Sequence, residues 1–256
     1  MATPLGLQRS DAQSLETGRP VIAVVQARIG SQRLPRKAIE EIGGLPIIQL
    51  VLERVCRAIS LDGVVLATTK CSEDNDLEDI AQALGIPLYR GSKEDVLERV
   101  LEAAVSMKGE TVVRVCADNP FVAPEEIDRI VTHHLDSRAE YSFNHIPTCV
   151  NQYPDGLGVE VIGRRVLEDI DSQSKESRHR EHVTLFVREN EDEYMVETVK
   201  APLSIAYPEV KLDVDTPDDL ARMRKLAEAA ECDLVEWTAS EVVKTYRTLF
   251  SGGPVE

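Results

Sequence analysis

The chain has 256 residues, of which 43% are hydrophobic, and its formal net charge at pH 7 is -16. A chain of this length and composition buries one sizeable core, so we expect a single catalytic domain. The strong negative charge argues against nucleic acid and anionic membranes as partners, because either surface would repel the protein as a whole.

The termini and the cysteines bear on where the protein works. Residues 1–19 have neither the positive start nor the apolar stretch of a signal peptide, and we expect a disordered leader there. Residues 20–250 would form the domain, and residues 251–256 a flexible tail. No apolar run is long enough to span a membrane. The five cysteines are scattered without a C-x-x-C pair, which favours a reducing, cytoplasmic compartment.

Short β-branched runs alternate with amphipathic stretches through the first half of the domain. The predicted strands are residues 21–26, 64–68, 86–89 and 111–115. The predicted helices are residues 47–58, 74–84, 94–106 and 124–135. Gly85 favours a left-handed cap on the second helix. This alternation predicts right-handed βαβ units and therefore a Rossmann-like, mostly parallel sheet with helices on both faces.

The alternation breaks down between about residues 140 and 200, which we interpret as a small inserted lobe. The elements predicted within and beyond it are strands at residues 159–162, 194–199 and 210–214 and helices at residues 181–188, 217–230 and 240–249. Thr216 and Pro217 are a typical N-cap and first helical residue, so the helix at 217–230 has a well-defined start.

Residues 27–37, ARIGSQRLPRK, place four cations directly after the first strand of an otherwise acidic protein. In open α/β sheets, ligands bind at this carboxyl end of the strands. Gly30 lets backbone amides approach an oxyanion closely, Ser31 adds a donor, and the cations can neutralise a polyphosphate. We therefore predict a phosphate-binding loop rather than a solvated basic turn. It matches neither the G-x-G-x-x-G pattern nor the Walker pattern.

Carboxylates follow two further strands at the same expected edge of the sheet. Asp118 comes after the strand at residues 111–115, and Asp213 and Asp215 alternate at the end of the strand at residues 210–214. A few hard oxygen ligands beside a polyphosphate are what Mg²⁺ requires. Taken alone, Asp215 is better interpreted as a charge at a helix start. Taken with Asp118 and the basic loop, it favours a metal site.

Seven motifs occur in order between residues 21 and 225: QARIGSQRLPRK, VVLATTKCSEDN, YRGSKEDVLER, RVCADNP, YPDGLGVEV, REHVT and DVDTPDDL. In them the sequence resembles the CMP-sugar synthetase superfamily, which includes acylneuraminate and 3-deoxy-manno-octulosonate cytidylyltransferases. It is most similar to the spore coat polysaccharide biosynthesis branch.

The resemblance implies a fold of the nucleotide-diphospho-sugar transferase type and a homodimer formed through the inserted lobe. It also implies a Mg²⁺-dependent nucleotidyltransferase that transfers CMP from CTP and releases pyrophosphate. The acceptor would be a sugar acid, a phosphorylated molecule or another anion, and the product would serve cell-surface glycan or related biosynthesis.

The motifs and the inserted lobe supply three groups of candidate residues. The candidate nucleotide-binding residues are Gln26, Ala27, Arg28, Gly30, Ser31, Arg33, Lys37, Thr68, Thr69, Arg90, Ser92 and Asp95. The candidate acceptor-binding residues are Tyr153, Asp155, Glu160, Arg180 and His182. The candidate metal ligands are Asp118, Asp213 and Asp215. The residues expected to carry catalysis are Arg28, Lys37, Asp118 and Asp215. By the resemblance, the triphosphate would be held by Arg28, Ser31, Arg33 and Lys37.

Two motifs depart from the usual family pattern. ADNP has Ala117 where glycine is usual, and PDGLGVEV has Gly158 where an acidic residue is common. The second segment faces the acceptor in related enzymes, so the identity of the acceptor stays open. A sugar hydroxyl would benefit from a general base such as Asp155 or Glu160, whereas an ionised phosphate oxygen would need none.

Three other functions compete with this interpretation. The nearest is a sugar-1-phosphate nucleotidyltransferase that uses GTP or UTP. A nicotinamide-dependent dehydrogenase is disfavoured by the absent G-x-G-x-x-G pattern. A non-catalytic assembly protein that retains the fold is disfavoured because Arg28, Lys37, Asp118 and Asp215 are all present.

Overall fold

The computed structural model describes residues 19–31, 33–144 and 151–250. Apart from Arg19, the predicted leader lies outside these residues, and so does the predicted tail. The strands are β1 (Val21–Gln26), β2 (Glu41–Ile42), β3 (Leu45–Pro46), β4 (Gly63–Thr69), β5 (Leu88–Gly91), β6 (Thr111–Cys116), β7 (Tyr141–Phe143), β8 (Glu160–Gly163) and β9 (Val196–Thr198). The helices are α1 (Ile47–Val55), α2 (Asn75–Leu84), α3 (Val96–Ser106), α4 (Pro124–Ser137), α5 (Arg164–Gln173), α6 (Ser177–Glu181), α7 (Leu185–Glu189), α8 (Pro217–Glu228) and α9 (Ala239–Phe250). Within the described ranges, no helix is both long and apolar enough to cross a membrane.

One seven-stranded sheet has the order β5-β4-β1-β6-β8-β7-β9. Strand β8 runs antiparallel to its neighbours β6 and β7, and the other neighbouring pairs are parallel. Strands β1 and β4 are rich in small and β-branched residues, and nearly every one of these residues is buried. Parallel strands covered on both faces have this character. The predicted Rossmann-like, mostly parallel sheet is therefore confirmed.

Side-chain alternation along β1 divides the core into two layers. Val21, Ala23 and Val25 pack on one face with helices α1, α4, α8 and α9. Ile22 and Val24 pack on the other face with helices α3 and α5. Because both faces are covered, the sheet presents its carboxyl edge as the place where polar loops gather.

The helix predicted at residues 181–188 is wrong, because the chain forms two short helices there. Helix α6 ends at Glu181, helix α7 begins at Leu185, and His182 between them adopts a φ of -103° and a ψ of 65°. An amphipathic pattern does not reveal this break, since His179 in α6 and Phe186 in α7 still pack together, with ring centroids 5.4 Å apart.

The strand predicted at residues 210–214 is also wrong. The place beside β6 is taken by β8, and the segment forms a single β-bridge, between Asp155 and Lys211. Its amides bond to loops instead: Leu212 N to Asp155 O at 2.9 Å and Val214 N to Asp118 O at 2.8 Å. The segment therefore lies across loops near the carboxyl edge rather than in the sheet.

Residues 140–200, interpreted as an inserted lobe, extend the central sheet. They contribute strands β7, β8 and β9 at one edge, and helices α5 and α6 pack against α3. Of this segment, residues 145–150 lie outside the described residues. The alternation is lost here because two of the three strands are only three residues long.

Gly156 allows its own loop to pack tightly against the backbone of residues 210–214. Its φ is 90°, a conformation that strains other residues. A Cβ at this position would lie only 2.6 Å from the Asp213 amide nitrogen. Glycine is therefore required at position 156, where residues 210–214 pass close to its backbone.

We expect Gly156→Ala to lower the free energy of unfolding by about 2–4 kcal/mol, because backbone strain and a steric clash add. Gly44→Ala is the matched control, since Gly44 has a φ of 83° but no atom within 4 Å of an added Cβ. It should lose only about 1–2 kcal/mol from strain. Urea denaturation measures both variants, and equal losses would contradict the close contact at Gly156.

Candidate active site

A cavity of about 650 Å³ opens at the carboxyl ends of strands β1 and β6. The predicted residues that line it are Gln26, Ala27, Arg28, Ser31, Arg33, Lys37, Asp118, His182 and Asp215. The predicted residues that do not line it are Gly30, Thr68, Thr69, Arg90, Ser92, Asp95, Tyr153, Asp155, Glu160, Arg180 and Asp213. The fold thus gathers most of the basic loop and two of the three candidate metal ligands into one cavity.

The ammonium group of Lys37 lies between two carboxylates. Its Nζ is 3.1 Å from Asp118 Oδ2 and 3.2 Å from Asp215 Oδ1, and the Lys37 side chain is only 15% exposed. An Arg33 guanidinium nitrogen lies 2.9 Å from the second oxygen of Asp215. Two carboxylates this close together attract positive charge strongly.

The local backbone brings these three side chains together. The basic loop ends in a 3₁₀ turn, Lys37–Ile39, directly after Arg36, whose φ of 61° reverses the chain. Asp118 follows β6, and its carbonyl oxygen accepts the Val214 amide. That bond fixes the segment that carries Asp215 against the segment that carries Asp118.

Helix α8 is capped without Asp215. Thr216 Oγ1 accepts the Asp219 amide at 3.2 Å, and Asp219 Oδ2 accepts the amides of Asp215 at 3.1 Å and of Thr216 at 2.9 Å. This capping box satisfies amides at the helix start. The helix start therefore does not use the Asp215 side chain as its cap, and Asp215 lines the cavity instead.

The carboxylates at the cavity fit a divalent ion. Asp213 does not join them: its Oδ2 lies 3.3 Å from Lys211 Nζ, and its Oδ1 is buried without a hydrogen-bond partner. Among the residues that the structure describes, no three or more His, Cys, Asp or Glu side chains are grouped to hold a metal. Glu181, the third carboxylate in the lining, lies 3.8 Å from Arg28. The candidate donors are thus Asp118 and Asp215. Mg²⁺ suits such a pair, because it takes few protein ligands and completes its shell with phosphate and water.

Asp155 is half-buried and lies outside the cavity lining. Burial raises the pKa of its carboxyl group to about 6, and the neighbouring charge of Asp213 contributes to the increase. Its backbone is fixed by hydrogen bonds to residues 210 and 212. Asp155 is thus held by its backbone but is not part of the cavity lining.

Glu160 and Tyr153, two predicted acceptor contacts, are buried in hydrogen-bond networks. Glu160 accepts the Tyr141 hydroxyl at 2.6 Å and forms an ion pair with Arg114. The Tyr153 hydroxyl donates to Glu126 Oε2 at 2.6 Å. Burial, reinforced by the carboxylate of Glu160, holds the pKa of Tyr141 well above its usual value. These groups fix the strands beside the cavity.

Thr68 and Thr69 serve a carboxylate that the sequence analysis did not single out. Asp74, which is 1% exposed, accepts Thr68 Oγ1 at 3.1 Å, the Thr69 amide at 3.2 Å and the Thr69 hydroxyl. Its other oxygen accepts the Ile29 amide at 2.7 Å. Arg90 braces the same turn by donating to Thr69 O at 2.8 Å. This cluster ties the basic loop to the end of β4.

Ser92, Asp95 and Arg180 form a second frame around the cavity. Ser92 Oγ accepts the Asp95 amide at 3.0 Å, and Asp95 Oδ2 accepts Arg180 Nε at 2.8 Å. Asp95, a candidate nucleotide-binding residue, thus binds Arg180, a candidate acceptor-binding residue. Their contact holds helix α6 in place, and the next two residues, Glu181 and His182, line the cavity.

Two arginines that line the cavity, Arg99 and Arg114, are not among the residues predicted from the sequence. Arg99 is 2% exposed, its Nη1 donates to Ser92 O at 2.5 Å, and its buried Nε has no hydrogen-bond partner. Burial lowers the pKa of Arg99, and the charge of Arg28 lowers it further. Arg114 Nε donates to Gln26 Oε1 at 2.9 Å. Arg99 ends the motif YRGSKEDVLER, and Arg114 begins the motif RVCADNP. Their place in these motifs is the sequence feature that could have identified them as site residues.

Replacing Asp74 with Asn should loosen the basic loop, because one acceptor oxygen becomes a donor that faces other donors. We expect the free energy of unfolding to fall by about 1.5–3 kcal/mol in urea denaturation. Asp76→Asn is the matched control: its carboxylate forms an exposed pair with Arg36 at 2.6 Å, and the loss should stay within about 0.5 kcal/mol. Equal losses in the two variants would argue against this role for Asp74.

Known proteins match this chain in sequence and in fold. Residues 22–239 match the family model described as cytidylyltransferase. Spore coat polysaccharide biosynthesis protein SpsF of Bacillus subtilis is 30% identical over 228 residues, which cover 87% of this chain and 92% of that protein. A 3-deoxy-manno-octulosonate cytidylyltransferase of Pelobacter propionicus is 36% identical over 121 residues, which cover 45% of each chain.

A solved structure agrees with these sequence relatives. A cytidylyltransferase from Leptospira borgpetersenii superposes with a TM-score of 0.84 at 25% identity, covering 93% of this chain and 99% of that chain. The family match extends from strand β1 to the first residue of helix α9 and includes the basic loop, Asp118 and Asp215. The chain therefore belongs to the cytidylyltransferase family of nucleotidyltransferases.

Proposed function

We propose that this chain transfers CMP from CTP to a sugar acid or a related anionic acceptor and releases pyrophosphate. The observation that carries the proposal is the Lys37 ammonium group held between Asp118 and Asp215 beside a basic loop. The family description supports CTP as the donor. The named relatives support a sugar-acid acceptor and a role in surface polysaccharide synthesis.

The basic loop is the proposed triphosphate site, together with Ser31. Arg28 is 38% exposed and lies 3.8 Å from Glu181, and Arg33 is 68% exposed and pairs with Asp215. Exposed ion pairs contribute little in water, so both guanidinium groups can exchange these partners for phosphate oxygens. Arg99, which is buried and lines the cavity, adds a further positive charge.

Asp118 and Asp215 would hold a divalent ion, which we propose to be Mg²⁺. When bound, the ion would neutralise and orient phosphate oxygens. Lys37 contacts both carboxylates and is therefore placed to add positive charge at the same end of the triphosphate. We propose no ligand role for Asp213, since its carboxylate is paired with Lys211.

The proposed reaction is an in-line displacement at the α-phosphorus. An acceptor oxygen forms the new P–O bond while the bond to the bridging oxygen breaks and pyrophosphate leaves with the electron pair. Positioning and charge neutralisation by the cations would supply most of the acceleration. If the acceptor oxygen is a hydroxyl, Asp155 is the better of the two predicted bases, because Glu160 is buried and occupied by its partners.

The acceptor side differs from the usual family pattern at Gly158. A Cβ at this position would lie 2.4 Å from Asn144 Oδ1 and 2.6 Å from Asn144 O. Asn144 is itself fixed, since its Oδ1 accepts the Val159 amide at 2.7 Å. The acidic side chain common in relatives therefore does not fit here. We propose that this chain recognises its acceptor without that carboxylate.

A matrix of nucleoside triphosphates and acceptors tests the donor and the acceptor together. Pyrophosphate release should require CTP and should be fastest with a sugar acid or a related anion. Turnover with GTP or UTP and a sugar 1-phosphate, but not with CTP, would instead identify a sugar-1-phosphate nucleotidyltransferase. Homodimer formation through residues 140–200 stays part of the proposal.

We expect Asp118→Asn and Asp215→Asn each to reduce turnover at least about a hundredfold, because a neutral amide replaces a charged ligand. The pyrophosphate assay measures the loss, and melting curves confirm that the variants fold. Asp218→Asn, an exposed carboxylate in the first turn of α8, is the matched control and should stay near the wild-type rate. Wild-type turnover in both site variants would remove the metal site.

Arg28→Ala and Lys37→Ala should each lower kcat/KM for the nucleotide roughly ten- to a hundredfold, since each charge-assisted phosphate contact contributes about 1.5–3 kcal/mol. Acceptor affinity should change far less. Lys175→Ala is the control, because Lys175 is exposed and bonds only to Ser172 O in the described structure. Unchanged nucleotide kinetics in both site variants would show that the loop is a solvated turn.

A further inference from the structure

A second cavity lies at the opposite end of strand β6. Its volume is also about 650 Å³, and its lining includes Thr111, the first residue of β6. The active-site cavity is lined by Cys116, the last residue of the same strand. At about 3.3 Å per residue, the two cavities are roughly 17 Å apart along the strand. A ligand in the second cavity would therefore occupy a separate site.

Arginines dominate the charge of this second cavity. Arg19, Arg138, Arg164 and Arg165 line it. Arg164 is neutralised by pairs with two glutamates. The other three make no ion pair with any carboxylate in the described part of the chain, although the protein carries an excess of acidic residues. Three unneutralised guanidinium groups around one cavity favour an anion.

The two glutamates in the lining offset only part of this charge. Glu110 pairs with Arg164. Glu140 Oε2 accepts the Met195 amide at 2.9 Å, which leaves its negative charge in place. Because four arginines face two glutamates, the lining keeps a net positive charge.

A histidine and a helix start also lie at the lining. His134 lines the cavity at 4% exposure, and its Nδ1 lies 2.9 Å from Ser142 Oγ. Helix α5 begins at the lining, where Gly163 supplies no side-chain cap and the first helical amide, that of Arg164, donates to Glu110 O at 2.9 Å.

We propose that this second cavity binds a small phosphorylated molecule through the guanidinium groups of Arg19, Arg138 and Arg165. Guanidinium forks match phosphate oxygens in geometry and charge. The volume accommodates a sugar phosphate, since pockets of about 300–1,000 Å³ hold small ligands. Because the site uses none of the active-site residues, it does not depend on the proposed cytidylyltransferase activity.

Calorimetric titration of the full chain tests the site with inorganic phosphate and with a hexose phosphate as probes. Arg28→Ala and Lys37→Ala are introduced first, so that the remaining affinity reports on the second cavity. Adding Arg138→Asn and Arg165→Ser should weaken binding at least about tenfold. Asn is chosen at residue 138 because its φ of 56° is one that Asn tolerates.

The matched control adds Arg57→Asn and Arg178→Ser, which remove the same charge from exposed arginines elsewhere. This pair should leave phosphate binding within about twofold, and melting curves should show all variants folded. Tighter binding of the hexose phosphate identifies an organic ligand, and tighter binding of inorganic phosphate identifies the free anion. The proposal is overturned if neither probe binds, or if the control pair weakens binding as much as the cavity pair.

Discussion

The Lys37 ammonium group is the contact on which the active site depends. It joins Asp118, 81 residues away, to Asp215, 178 residues away. Two carboxylates that share a mostly shielded cation cannot be separated without exposing an uncompensated charge. The loop after β1, the loop after β6 and the start of α8 therefore meet at one point. The cavity lies next to that point, and Lys37, Asp118 and Asp215 contribute charges to its lining.

Around this contact, some polar groups hold the backbone in place, and others remain exposed and can bind a ligand. The backbone of the basic loop is held from below by the buried carboxylate of Asp74, while Arg28 and Arg33 remain exposed in weak pairs. A fixed backbone with exchangeable side-chain partners suits a site that must bind and release a polyanion. It also places positive charge before substrate arrives, so little reorganisation is needed during the reaction.

The uneven distribution of charge gives an acidic protein two basic cavities. A formal charge of -16 repels polyanions from the surface as a whole. Cations concentrated at the two ends of β6 override this repulsion over a short range, because salt screens distant charges within about 8–10 Å. The same strand therefore separates the basic loop and its cavity from a second cavity in which three of the four arginines have no carboxylate partner in the described part of the chain.

The sequence by itself determined the alternating elements, the sheet class, the basic loop, Asp118 and the family. Each of these rests on local information, since burial periodicity and strand-end loops are written in neighbouring residues. Tertiary structure decided the rest. Glu160 and Tyr153, predicted to contact the acceptor, are buried among partners distant in the chain, and Arg99, which no pattern singled out, lines the cavity. Residues 210–214 have the pattern of a strand, yet β8 occupies the place beside β6. The partner of a polar group or of an extended segment depends on contacts between residues that are distant in the chain. The periodicity of the sequence does not reveal such contacts.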